Sequence, residues 1–176
     1  KFAQHCASRQ NAIDTRAKWF PFNKGGDFRK WYGNFDYVIN WEDDGSELKN
    51  YKKAAIRNSD YYFLQHVTWS KVTTSRVSFR YRPAGSIFSD AGCAAIFGEQ
   101  DLWWILALLN TKYAQEVFDI INPTINYTQN TIASLPCAIS QNRDSVNRLA
   151  KENVAACKED WDAFETSWDF KKHPLV

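Results

Sequence analysis

Short apolar and aromatic stretches alternate with glycine-containing breaks through the first hundred residues, and this pattern predicts β-strands joined by turns. Residues 19–41 predict two or three strands with turns at residues 25–26 and 33–34, because glycine permits backbone turns that other residues resist. Residues 61–97 predict four further short strands. Between the two groups, an acidic turn is followed by a short helix predicted over residues 46–58.

Beyond residue 100 the apolar positions recur three and four residues apart, which predicts helices. Residues 101–121 predict a helical segment with a break in its middle, and Pro123 ends it. Residues 124–136 are polar and are predicted to be extended, whereas Ser140 caps a long helix that reaches residue 161 or 164. The sequence therefore predicts an α+β fold, a β-rich domain with a helical segment and a long C-terminal helix.

The last predicted helix is apolar along one stripe and highly charged elsewhere, which indicates a helix that packs through one face. We therefore expect two units, a domain over residues 1–139 and a helix and tail over residues 140–176 that pack on the rest of a longer protein. The chain begins at Lys1 and contains no methionine. Both features favour an excised piece of a longer protein.

The cysteines are scattered, and their spacing excludes the CxxC pairs typical of zinc sites. They are Cys6, Cys93, Cys137 and Cys157. Scattered cysteines indicate a reduced, cytoplasmic protein with buried thiols. The sequence has no secretory signal pattern and no apolar run near the ~20 residues that span a membrane. We expect neither a metal site nor a membrane partner.

Positive charge is segregated, although the net charge of the chain is only +2. Residues 68–82 carry four cations and no acid, and residues 16–34 carry five cations against one acid. In the first of these stretches, period-two alternation puts Arg80 and Arg82 on one strand face and Tyr81 on the other. In the second, the cations are interleaved with aromatic residues.

Cations interleaved with aromatic residues suit a polyanion that carries bases or sugars. The alternative for both stretches is a strand pair with core aromatics and solvated cations. Candidate phosphate contacts are Lys24, Arg29, Lys30, Lys71, Arg80 and Arg82. Amide side chains in the polar loop can read base edges or simply form turns. These candidates are Asn122, Asn126, Gln129 and Asn130.

A set of motifs in one order carries a family resemblance over nearly the whole chain after about residue 18. The motifs are residues 18–34, 38–41, 44–45, 68–71, 79–85, 108–112, 121–126, 132–136 and 164–170. Together they resemble the C-terminal part of PglX-type proteins, the adenine-specific DNA methyltransferases of BREX phage-defence systems. More widely, the chain is similar to type IIG restriction-modification enzymes.

The resemblance implies that residues 1–139 are a DNA target recognition domain. Its partners would be double-stranded DNA, the upstream methyltransferase domain of the same chain and other phage-defence proteins. The glycine motif that cradles the cofactor and the catalytic tetrapeptide of such enzymes are absent from these residues. Residues 122–125 lack the second proline and the aromatic that stacks on a flipped base. S-adenosylmethionine is thus implied for the missing domain, and we expect no catalytic residues here.

Two other classes of protein remain as alternatives. Asp36, Glu47 and Lys49 have the residue types of a metal-dependent nuclease site, because two carboxylates and a lysine can hold Mg²⁺ and orient water. An aromatic content of 16% also suits a carbohydrate-binding module. The clustered cations favour DNA over a neutral glycan.

Overall fold

The described residues form two three-stranded sheets and a set of helices, so the predicted α+β class is confirmed. The computed structural model describes residues 1–137, 142–173 and 175. The strands are β1 (Trp19–Asn23), β2 (Tyr37–Asn40), β3 (His66–Ser70), β4 (Arg80–Arg82), β5 (Ile87–Phe88) and β6 (Gly92–Ala95). The helices are α1 (Arg9–Asp14), α2 (Glu42–Asn50), α3 (Glu99–Leu109), α4 (Lys112–Ile121), α5 (Gln129–Ala133) and α6 (Arg143–Asp162), and a 3₁₀ turn spans Ser59–Tyr61.

The two sheets differ in how their strands run. In the first sheet, with order β2–β1–β5, β1 is antiparallel to β2 and parallel to β5. In the second sheet, with order β4–β3–β6, both pairs are antiparallel. Every residue of the central strand β3 is buried. Because side chains alternate between the faces of a strand, the second sheet is covered on both faces at β3.

Two hydrophobic cores hold these elements together. The larger core joins the second sheet to α3, α4 and α6, and its large buried members include Trp69, Phe79, Leu102, Leu106 and Phe118. The smaller core joins α1 to the first sheet through Ala12, Phe20, Trp41, Phe63 and Ile87. Burial of such side chains is the main source of stability in a domain of this size.

The long C-terminal helix is confirmed as α6, and it packs on the larger core of this chain. Val154 is buried there, and α6 lies along α3. Beyond the helix, Trp168 packs edge-on against Phe35 with ring centroids 6.3 Å apart. The predicted cap Ser140 and the predicted domain boundary beside it lie outside the described residues. Packing of residues 140–176 on a longer protein stays a prediction.

The helix predicted over residues 46–58 ends early. α2 stops at Asn50, and residues 51–58 form irregular chain. The predicted acidic turn lies inside α2, where three consecutive residues ending at Gly45 have left-handed backbone. A Cβ on Gly45 would lie 2.7 Å from ring atoms of Trp41. Glycine is therefore required for this turn to pack on the buried tryptophan.

The strand predicted over residues 76–81 begins only at Arg80 as β4, because Phe79 before it bonds to the end of α3. Phe79 N–H donates to Asn110 Oδ1 at 3.3 Å, and its carbonyl accepts from Asn110 Nδ2 at 3.0 Å. The prediction that residues 124–136 are extended is also wrong, because this stretch contains α5. The Thr128 hydroxyl caps α5 by accepting a hydrogen bond from the N–H of its third residue at 3.2 Å.

The cysteines are free thiols, as their spacing predicts. Cys6 and Cys93 are buried and Cys157 is half-buried. The expectation of a buried thiol is wrong for Cys137, which is exposed. Within the described part of the chain, no helix combines the length and the apolar character needed to cross a bilayer.

Candidate nucleic-acid interface

A glycine turn after β1 brings one lysine to the edge of the second sheet. Gly25 and Gly26 have φ of 87° and 139°, in the region that favours glycine. A Cβ on Gly25 would lie 2.9 Å from the carbonyl oxygen of Ala91. Ser70 Oγ accepts a hydrogen bond from Gly26 N–H at 3.0 Å and donates one to the Gly26 carbonyl at 2.7 Å. This close approach holds the exposed Lys24 beside the end of β3.

The polar loop that follows α4 is tied to the same edge. Tyr127 N–H donates to the Lys71 carbonyl at 2.6 Å, and Thr73 N–H donates to the Ile125 carbonyl at 3.0 Å. An antiparallel bridge at Asn126 lies between these two bonds. The pairing therefore fixes the loop against the residues that follow β3, with Asn126 next to the lysine.

These segments line a groove of about 420 Å³, which we call the lysine groove. It is lined by Lys24, Gly26, Ser70, Lys71, Val72, Asp90, Ala91 and Asn126. Lys71 Nζ pairs with the Asp90 carboxylate at 2.6 Å. Lys24 Nζ lies 5.0 Å from the ring centre of Tyr37 and forms no ion pair with the described residues. The groove thus holds one paired cation and one unpaired cation.

The four predicted amide readers take different positions. Asn126 lines the lysine groove. Asn122 forms a turn, with its Nδ2 donating to the Thr124 carbonyl at 3.1 Å. Gln129 and Asn130 are exposed on the first turn of α5, outside the lysine groove. Of these four, Asn126 is the amide that the fold places with the two lysines.

Arg29 and Lys30 contact helices rather than the groove. The Arg29 guanidinium pairs with Asp160 at 3.2 Å and lies 5.0 Å from the ring centre of Trp161. Lys30 Nζ donates to the Asn110 carbonyl at 2.9 Å. Both cations are half-buried against α3 and α6, so the structure separates them from the groove lysines.

Arg80 and Arg82 are buried, which corrects the prediction of a solvent-facing cationic strand. Each residue is 1% exposed, although both alternate with Tyr81 as predicted. The connection between β1 and β2 covers their face of the sheet. Arg80 Nη1 donates to the Arg29 carbonyl at 3.2 Å, and Arg82 Nη1 donates to the Asn34 carbonyl at 3.0 Å. Side chains buried in this way do not reach phosphates.

The two guanidinium groups are held without a carboxylate ion pair among the described residues. Arg82 lies 3.8 Å from the ring centre of Phe35, and its Nε donates to Ser86 Oγ at 3.4 Å. Arg80 Nη2 donates to Ser70 Oγ at 3.4 Å. Burial lowers the pKa of Arg80 to about 10 and that of Arg82 to about 9, so both stay charged at neutral pH. Through Ser70, Arg80 supports the turn beside the lysine groove.

A buried polar cluster joins the two sheets. Asn23 Nδ2 donates to Thr68 Oγ1 at 2.6 Å, and Thr68 Oγ1 donates to the Cys93 carbonyl at 2.7 Å. His66 Nδ1 lies 2.9 Å from the Leu64 carbonyl, and its Nε2 lies 3.3 Å from Asn23 Nδ2. Burial lowers the pKa of His66 to about 4. The neutral ring therefore donates through Nδ1 and accepts through Nε2.

Three exposed cations were missed by the sequence predictions. Lys52, Lys53 and Arg57 lie in the irregular chain over residues 51–58, which was expected to be helix surface. A signal for them does exist, because residues 48–58 contain four cations and no acid. Charge segregation of this kind indicates a surface for an anionic partner.

The residues of the alternative nuclease site have other partners. Lys49 pairs with Asp44, and Glu47 accepts a hydrogen bond from Asn40 Nδ2 at 2.6 Å. Asp36 is exposed. In the part of the chain that the structure describes, no three side chains of metal-binding type come together. The geometry therefore adds no support to this alternative.

Comparison with known proteins points to one class of protein. No family model matches the chain. Two curated relatives match it over most of its length, and both are adenine-specific methyltransferases. The chain is therefore homologous to a segment of adenine-specific methyltransferases.

The relatives are named BrxX and PglX, which confirms the resemblance found in the sequence. The chain is 43% identical over 164 residues to the adenine-specific methyltransferase BrxX of Escherichia coli O9:H4 (strain HS), which covers 91% of this chain and 13% of BrxX. It is 33% identical over 177 residues to the adenine-specific methyltransferase PglX of Lacticaseibacillus casei (strain Zhang), which covers 96% of this chain and 15% of PglX. The chain spans about one seventh of the length of each of these relatives.

Proposed function

We propose that this chain is the sequence-specific DNA recognition domain of an adenine-N6 DNA methyltransferase in a phage-defence or restriction-modification system. The carrying observation is that Lys24, Lys71 and Asn126 meet in one groove of a chain homologous to adenine-specific methyltransferases. Two cations suit phosphates and an amide suits a base edge. Phosphate contacts position a protein on the duplex, and base contacts specify the sequence.

In this proposal the rest of the longer protein supplies the chemistry. An upstream methyltransferase domain binds S-adenosylmethionine and rotates the target adenine out of the duplex, at a cost of a few kcal/mol. The recognition domain holds the duplex in register while this happens, and it binds no S-adenosylmethionine itself. The protein works in the cytoplasm, where the DNA lies, together with other phage-defence proteins.

Within the chain, we assign phosphate contact to Lys24 and Lys71 and base contact to Asn126. Arg29 and Lys30 remain weaker candidates for phosphate contact, because Arg29 already pairs with Asp160 of α6 and Lys30 already donates to the Asn110 carbonyl at the end of α3. The buried arginines of β4 are positioning residues in this scheme. They hold the connection that leads from β1 to β2.

We further propose that the exposed side of the C-terminal region packs on the methyltransferase domain. Leu149 and Phe164 are large apolar residues that are exposed in this chain. Replacing both with serine would leave the thermal stability of this chain nearly unchanged, because neither is buried. The same change in the full-length protein would reduce DNA methylation if the contact exists, and unchanged methylation would refute it.

The function is tested by duplex binding across a salt series, using random and phage-derived sequences and both this chain and the full-length protein that carries it. Lys24→Ala would weaken binding to all duplexes alike. Asn126→Ala would change the preference at one base position, because a good bidentate base contact contributes about 1–3 kcal/mol of discrimination. Absence of salt-dependent binding in both proteins would contradict the proposal.

A further inference from the structure

A second groove lies next to the lysine groove and shares a wall with it. It measures about 320 Å³, and its lining includes Arg57, Ser89, Asp90 and Gln129. We call it the arginine groove. Asp90 lines both grooves. In the wall, Ser89 donates from N–H and Oγ to the Asn23 carbonyl at 3.1 and 3.0 Å, which fixes the wall to β1.

The segment that carries Arg57 is anchored although it is irregular. Over residues 51–58, Ala54 and Ile56 are half-buried, and Ile56 packs on the smaller core. Lys53 and Arg57 flank these two residues and are exposed. Burial of Ile56 in the smaller core anchors the segment next to Arg57. The cation is therefore presented from a fixed backbone.

The cations of this segment are not neutralised within the described chain. Arg57 and its neighbours Lys52 and Lys53 form no ion pair with any described residue. Asp90, the acid on the shared wall, is paired with Lys71 on the other side. An unpaired cluster of cations beside a polar groove attracts an anionic ligand.

The two grooves share one feature on either side of their common wall. Each offers a cation and an exposed amide, Lys24 with Asn126 in one and Arg57 with Gln129 in the other. A guanidinium can bind a phosphate through two parallel hydrogen bonds, which suits a sugar–phosphate backbone better than a point charge does. Two adjacent grooves that each carry a cation suit contacts to the phosphates of one duplex.

We propose that the arginine groove, with Lys52 and Lys53 beside it, is a second phosphate-contact site for the same DNA duplex. The inference rests on the proposed function, since it extends the surface that the lysine groove begins. It also assigns a role to an unassigned segment of the chain. Arg57 contacts the phosphate directly, and Gln129 contacts the sugar–phosphate backbone or a base edge next to it.

The test compares the salt dependence of duplex binding for Arg57→Gln, Arg57→Lys and the double variant Lys52→Ala/Lys53→Ala. The matched control is Lys171→Ala/Lys172→Ala, which removes two exposed cations that line neither groove. The logarithm of the binding constant falls with the logarithm of salt by about 0.9 for each phosphate contact. We expect Arg57→Gln to lower the slope by about this amount, and Arg57→Lys and the control to keep it.

Each outcome decides one of the two proposals. If Lys24→Ala lowers the slope but Arg57→Gln and the double variant do not, the second site is overturned and the DNA-binding function stands. If the control Lys171→Ala/Lys172→Ala lowers the slope as much as Arg57→Gln does, the effect is one of net charge and the second site is again overturned. If neither this chain nor the full-length protein binds duplex DNA without substitution, the proposed function itself is overturned.

Discussion

The arginines of β4 and the lysines of the groove are cations with opposite surroundings. Arg80 and Arg82 are almost fully buried, and they hold backbone carbonyls and an aromatic ring. Lys24 is exposed, and Lys71 keeps 26% of its side chain exposed beside Asp90. All four residues lie in the two cation-rich stretches of the sequence, residues 16–34 and 68–82. The difference shows that a cation-rich stretch of sequence does not by itself indicate an exposed cationic surface.

The largest expected effect is a loss of stability on replacing Arg82, one of the two buried arginines. Arg82→Ala removes hydrogen bonds to Asn34 and Ser86 and the contact with Phe35. Because hydrogen bonds of charged groups contribute about 1.5–3 kcal/mol each, we expect the free energy of unfolding to fall by about 3 kcal/mol or more. Urea unfolding measures it. Lys24→Ala, the matched exposed change, should stay within about 0.5 kcal/mol.

Equal stability of the Arg82→Ala and Lys24→Ala variants would contradict the contrast between buried and exposed cations. It would mean that the interior position of Arg82 contributes no more than an exposed surface position. The expected loss is a loss of folding stability.

A second effect concerns pH, through the buried cluster that joins the sheets. The pKa of His66 in the folded chain, about 4, lies below its ordinary value of 6.5. The unfolded chain therefore binds the proton first as the pH falls. Stability is full above pH 6.5 and is lost progressively toward pH 4, by roughly 3 kcal/mol in total. Urea unfolding at several pH values measures this loss.

The control for the pH effect is His66→Gln, which removes the titrating group and keeps a polar side chain. Its stability should change less between pH 6.5 and pH 4 than that of the unsubstituted chain. A pH profile that is identical in the two proteins would show that His66 is not the source of the dependence.

A smaller effect links stability to the groove. Gly25→Ala forces a Cβ into a backbone with φ of 87° and to within 2.9 Å of the Ala91 carbonyl. The left-handed conformation alone makes this about 1–2 kcal/mol unfavourable. Because the turn carries Lys24, duplex binding should weaken as well. Gly98→Ala, where a Cβ would meet nothing within 4 Å, is the control and should leave both properties nearly unchanged.

The smallest expected effect on stability is at Asp90, where binding changes instead. Asp90→Asn frees Lys71 and removes a carboxylate from the walls of both grooves. We expect affinity for unrelated duplexes to rise several-fold, since like charges in the path of a phosphate oppose binding. Asp160→Asn is a matched control, because its side chain is equally exposed at 64% and also pairs with a cation. Equal gains in the two variants would argue against a special position for Asp90.

Sequence reasoning succeeded where a local pattern determines the structure. Helical periodicity predicted α3, α4 and α6, and a proline after Asn122 marked the end of α4 correctly. Strand alternation also placed Tyr81 and its neighbouring arginines on opposite faces of β4. These features depend on residues close together in the chain.

Long-range packing explains what the sequence could not reveal. Period two separates the faces of β4, but it does not show that the β1–β2 connection covers the face of Arg80 and Arg82. Composition likewise did not show that Asn126 meets Lys71 while Asn122 forms a turn. The site is assembled from chain segments that lie far apart in sequence, and only the tertiary structure brings them together.

The most direct test of the central claim is the salt dependence of duplex binding by the double variant Lys24→Ala/Lys71→Ala, compared with Arg29→Ala/Lys30→Ala after folding of both is verified. We expect the first variant to lose about 0.9 of slope for each of its two contacts and the second to keep nearly the full slope. A full slope in the first variant, or a loss confined to the second, would contradict a DNA interface at the lysine groove.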